Sequence, residues 1–94
     1  MGGYTQEKVM RGIADARERM HACSDNTVKA INQGKWDLAI QGIIGVADEF
    51  RKAMELCGML PEDVKGKYIL KCGREHHSAK GKIAAALKKV CELK

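Results

Sequence analysis

Between residues 5 and 33, Val9, Ile13, Ala16, Met20, Cys23, Thr27 and Ala30 follow one another four and three positions apart in turn. Residues 35–58 repeat the alternation at Trp36, Ile40, Ile43, Ala47, Phe50, Met54 and Cys57. Side chains at these spacings lie above one another on an α-helix, so each series draws a narrow apolar seam down one helix face. A strand would need apolar residues at every second position, and no such run bounded by turn residues occurs. The short Gly34-Lys35 turn separates the two seams. They therefore predict an antiparallel helical hairpin over 5–58, seam against seam, with Ala30 facing Trp36 beside the turn.

Local signals agree with this reading. Thr5 is placed to cap the first helix, with Glu7 where negative charge favours the amino-terminal end. Gly34 suits the left-handed residue that closes a helix. The run Cys23-Ser24-Asp25-Asn26 is made of poor helix formers, so a break or kink is expected there, with Ser24 or Asp25 capping a second short helix. In the second segment Gly42 and Gly45 cost helix propensity, which suggests a neighbouring backbone passing close by. A second apolar set (Leu38, Ala39, Ile44, Val46, Ala53 and Leu56) covers much of the remaining surface, and Gly58 ends the segment. A helix apolar on most sides belongs in the middle of a bundle.

Pro61, with Glu62 and Asp63, opens a third helix whose buried face is Val64, Tyr68, Ile69 and Cys72 before Gly73. A last helix over 75–93 carries Ala79, Ile83, Leu87, Val90 and Cys91 on its apolar side, with Ala84, Ala85 and Ala86 permitting close contact. The fold expected is all-α: one domain over 1–94, three to four helices built on the hairpin, with basic helices over 61–93. A chain of 94 residues buries a modest core. A second copy would help by covering Leu38, Ile44, Val46 and Leu56, so a homodimer is expected.

Charge is distributed unevenly. Residues 1–58 balance eight basic against eight acidic side chains, whereas residues 59–94 hold nine basic and four acidic, so the whole excess of +5 falls in the last third. Lys65, Lys67, Lys71, Arg74, Lys80, Lys82, Lys88 and Lys89 are the candidate binding residues there, for an acidic protein surface, nucleic acid or a nucleotide. Tyr68 is the only aromatic among them, which argues against base stacking and sequence-specific readout. The four cysteines are at least fifteen positions apart, and neither an apolar leader nor a membrane-length apolar run is present. A cytoplasmic chain with free thiols, off the membrane, is the expectation.

Three strings invite a chemical reading. His77-Ser78-Ala79-Lys80-Gly81 resembles the phosphorylated-histidine motif of histidine-phosphotransfer domains, with Lys at +3 and Gly at +4. The resemblance implies that His77 carries a phosphoryl group, Lys80 offsets its charge and Gly81 admits the partner. It covers five residues, and thirteen residues follow Gly81 where that family continues into further bundle helices. His21, Cys23, Cys72 and His76 are metal-type side chains, but no CxxC knuckle joins them, and core cysteines with surface histidines is the favoured reading. Gly34-Lys35-Trp36-Asp37-Leu38-Ala39-Ile40 resembles the inter-helix turn of tetratricopeptide repeats, which supports a hairpin turn at that place.

No nucleophile–base set and no phosphate-loop glycine pattern is legible. Asp15, Glu18, Asp48, Glu49 and Glu55 stand at ion-pair spacing from Arg11, Arg19, Arg51 and Lys52. The expectation is a non-enzymatic binding or regulatory protein of adaptor or inhibitor type, acting on a macromolecular partner without a cofactor. Capture of a phosphate-bearing ligand by the basic third is the alternative, and phosphotransfer through His77 a further one.

Overall fold

Thr5 accepts a hydrogen bond from the Lys8 amide at 3.2 Å and starts α1 (Gln6–Asn32) in a computed structural model that describes residues 5–92. The extreme amino-terminal residues and Lys94, which was counted with the basic third, lie outside those bounds. α2 (Trp36–Cys57) and α3 (Glu62–Glu92) complete an all-helical chain. Among the described residues three helices thus stand where three to four were expected.

The α1–α2 turn is a Schellman closure. The amides of Gly34 and Lys35 bond the carbonyls of Ile31 and Ala30, at 3.0 and 2.9 Å, and Gly34 takes φ +71°. Only glycine adopts that conformation without a Cβ penalty. At the next turn, the Pro61 carbonyl accepts from Val64 and Lys65 to start α3.

Both expected breaks are absent. α1 runs through Cys23-Ser24-Asp25-Asn26 because the hydroxyls there find partners without leaving the helix. Thr27 Oγ1 bonds the Cys23 carbonyl at 2.6 Å, and buried Ser24 reaches the Ala79 carbonyl of α3 at 3.5 Å. α3 likewise passes through Gly73, whose lost propensity is outweighed by buried Cys72 and Ala79 on either side.

α1 buries Val9, Ile13, Ala16, Met20, Thr27 and Ala30, the expected seam, with Ser24 and Ile31 added and Cys23 only half-buried. α2 presents only the carboxyl-terminal part of the expected seam to it: Cys57 is fully buried and Phe50 and Met54 are half-buried, while Trp36, Ile40, Ile43 and Ala47 are exposed. The other residues of α2 that meet α1 are Ala39, Gly42, Gly45, Val46, Ala53 and Leu56. A Cβ on Gly42 would fall 1.9 Å from Thr27 Oγ1, and one on Gly45 would fall 3.2 Å from Cys23 Sγ. Gly12 of α1 makes room for Leu56 in the same way. Small side chains let the two backbones approach, and the closeness excludes the branched residues of the other seam. Trp36 is 40% exposed, and Ala30 packs with Ala39 and Ile31.

α3 lies along the hairpin and divides the core in two. Its first half closes Cys72, Val64 and Tyr68 over Val9, Ile13, Ala16, Ala53, Cys57 and Leu60. Its second half sets Ala79, Ile83 and Ala86 against Met20, Ile31, Ala39 and Val46. Phe50 belongs to both halves and stacks on His76, ring centroids 3.9 Å apart. Ile69 and Cys91, expected on the buried side, are exposed.

Candidate anion-binding face

α3 turns Cys72, Ala79, Ile83 and Ala86 inward, and this sets where its cations go. Lys67, Lys71, Arg74, Lys82 and Lys89 follow at spacings that return to one flank of the helix, with Ser78 and Ala85 filling the register between them. All five are exposed, and none has an ion-pair partner among the described residues. At 1.5 Å per residue the ridge from Lys67 to Lys89 is about 33 Å long.

The other three candidate cations are elsewhere. Lys65 is half-buried and bonds Glu62 at 3.1 Å; Lys88 reaches Glu92 at 4.0 Å. Lys80 is exposed on the far side, beside the α2–α3 groove lined by Ile43, Ala47, His76 and Leu87. The eight residues are therefore one ridge of five and three separate positions.

The ridge borders α1. Lys82 and Lys89 share a groove of about 650 Å³ with Asp25, Val28, Lys29 and Asn32. Lys29 is a cation that the reading of the last third alone did not include. Its signal was tertiary, since only the packing of α1 on α3 brings it beside Lys82 and Lys89. A smaller hollow lies farther along, among Lys67, Leu70, Lys71, Arg74 and Glu75.

At the edge of this second hollow, α1 and α3 are tied by a polar cluster. Glu75 accepts from Arg17 Nε at 3.0 Å and from a second nitrogen of the same guanidinium, and it also pairs with His21 Nε2 at 2.8 Å. The Arg17 bond is the main reason the Glu75 carboxyl is held below its ordinary range, and the same bond raises Arg17. Glu75 is thus already satisfied from α1 and does not neutralise the ridge. On the opposite side of the bundle, Glu49 joins Arg19 of α1 at 3.0 Å and Lys52 at 3.7 Å. Arg51 pairs with Asp48, so part of the expected surface pairing is present, while Arg11 pairs with Glu7, outside the expected set.

The metal-type side chains have separate uses. His21 is on Glu75, His76 is on Phe50, and Cys72 lies with Cys57 in the core half closed by the start of α3. No group of three or more such side chains comes together among the described residues. Burial pushes the Cys57 thiol up to about 11 and raises Cys72 as well, so both stay protonated and unreactive at neutral pH. His77, Lys80 and Gly81 are exposed within one turn of α3, and a Cβ on Gly81 would touch nothing within 4 Å.

The fold and this face define a three-helix bundle with one cationic edge. No helix is long and apolar enough to cross a membrane among the described residues. The chain matches no protein-family model, no curated protein and no solved structure.

Proposed function

We propose that this chain is a non-catalytic binding module that holds an anionic macromolecule along the α3 edge. The observation that carries the reading is the row Lys67, Lys71, Arg74, Lys82 and Lys89, without ion-pair partners among the described residues, on one flank of a single 31-residue helix. A linear array of fixed cations suits a linear array of charges, and contacts of this kind position a backbone without reading sequence. Tyr68, the only aromatic near the row among the described residues, is half-buried in the core half around Cys57 and Cys72 and offers no stacking platform. An acidic protein surface meets the same face by the same physics, with looser demands on spacing.

Fluorescence anisotropy with a labelled duplex of arbitrary sequence, and with an acidic polypeptide, tests this. Binding should weaken steeply with salt, with a logarithmic slope of about −4.5 for a duplex engaging five cations. Changing Lys71, Arg74, Lys82 and Lys89 to Gln should abolish it, while changing Lys65 and Lys88, which stand off the ridge, should leave most of it. Binding indifferent to salt, or lost only through Arg11, Arg17 and Arg19, overturns the proposal.

Phosphotransfer through His77 is a second reading, favoured by the exposure of His77, Lys80 and Gly81 within a single turn. Incubation with phosphoramidate followed by intact-mass analysis checks it. An acid-labile adduct absent from His77→Gln supports the reading, and an unmodified chain removes it.

A further inference from the structure

We infer that the exposed apolar strip of α2 docks a second copy of this chain, the two α2 helices crossing antiparallel about a two-fold axis at Ile44. Trp36, Ile40, Ile43 and Ala47 keep the four-three spacing of a helix seam, yet all are exposed, as is Ile44 beside them. Ile40 and Ile44 are 56% and 54% exposed, unusual for two isoleucines on one helix of a small bundle.

Two properties select a second copy as the occupant. The first is area. At their exposures these five residues present roughly 400 Å² of apolar surface, the size of the largest patch on a typical monomer. A standard interface takes about 800 Å² from each partner, a little over half of it apolar, so the strip supplies the apolar share of one such interface.

The second is charge. Asp37 precedes Ile44 by seven residues and Arg51 follows it by seven, so all three share a face, two turns apart. A two-fold axis at Ile44 brings each Asp37 opposite the Arg51 of the other copy. Both ends of the contact are then paired by one symmetry operation, as an isologous interface requires. Asp37 has no ion partner among the described residues, and Arg51 holds only a long, exposed contact to Asp48 at 3.4 Å. The same operation sets Arg51 beside the Trp36 ring, where a guanidinium is attracted to the π face. The strip differs from the set expected from sequence, since Val46 and Leu56 are taken up by α1.

Sedimentation velocity over a dilution series, with circular dichroism to check folding, tests the register. The unaltered chain should sediment as a dimer at micromolar concentration. Asp37→Arg and Arg51→Asp each place like charges opposite one another at both ends, and each should weaken the dimer about tenfold or more. The double variant restores opposite signs and should recover it. Ile44→Glu should give a folded monomer. A monomer mass for the unaltered chain at every concentration overturns the inference. A dimer indifferent to Ile44→Glu, or a double variant no better than the singles, overturns it as well. The anion-binding face lies on α3, so duplex binding by a folded Ile44→Glu monomer distinguishes failure here from failure of the proposed function.

Discussion

Gly42 of α2 rests against Thr27 of α1 so closely that a Cβ would stand 3.0 Å from the threonine Cβ and 3.3 Å from its Cα. Thr27 cannot rotate aside without giving up its bond to the Cys23 carbonyl. Gly42→Ala should therefore separate the hairpin locally and cost about 1–3 kcal/mol, against the gain in helix propensity alanine normally brings. Urea unfolding followed at 222 nm measures it, and a variant as stable as the parent would show that the helices are not in such close contact.

Alanine at Gly66, Gly73 or Gly81 should act in the opposite direction. A Cβ at each would meet nothing within 4 Å, and all three lie inside α3. Each change should add about 0.5–1 kcal/mol by restricting the unfolded chain and improving helix propensity. The triple variant should melt at a clearly higher temperature. A lower one would place a partner or a bend at these positions.

Apolar truncations should separate the two faces of α2. Ile13 is fully buried, and Ile13→Ala should cost about 2–5 kcal/mol; Phe50→Ala, at the junction of the two core halves, should cost about 3–5. Ile43 is 40% exposed, so Ile43→Ala should cost less than about 1 kcal/mol in dilute protein. A severe loss at Ile43 under monomeric conditions would mean that this face is closed.

Acid should destabilise the bundle in two stages. His76 is half-buried on Phe50, and burial first, then the nearby Lys80 and His77 charges, lowers its pKa from the ordinary 6.5. The unfolded chain then takes up the proton first, so stability falls as pH drops below about 6.5 and levels off beneath the folded value. Glu75 is likewise depressed from 4.5 by Arg17, so its contribution is present above 4.5 and is lost as pH falls through its lower folded value. Urea midpoints against pH should show both stages. Phe50→Leu should shrink the upper one and Glu75→Gln the lower, and a flat profile between pH 7 and 5 would contradict the first.

The sequence alone determined the helical class, the Thr5 cap, the glycine-closed turn at Gly34 and the inward face of α1. Each of these depends on contacts within a few residues, or on a single apolar arc with no competitor. Tertiary structure decided the rest. α2 carries two apolar arcs, and periodicity weights them equally. Backbone approach chose the Ala39–Gly42–Val46–Ala53 side because small residues let α1 come near, and that choice left Trp36, Ile40 and Ile43 outside. The breaks read at Ser24 and Gly73 failed because a neighbouring helix supplies bonds and burial that propensity does not count. The charge excess of the last third was legible, but its resolution into one ridge was not. The phase of a helix is set by which of its residues are buried, so Lys67, Lys71, Arg74, Lys82 and Lys89 became a row only when Cys72, Ala79, Ile83 and Ala86 turned inward.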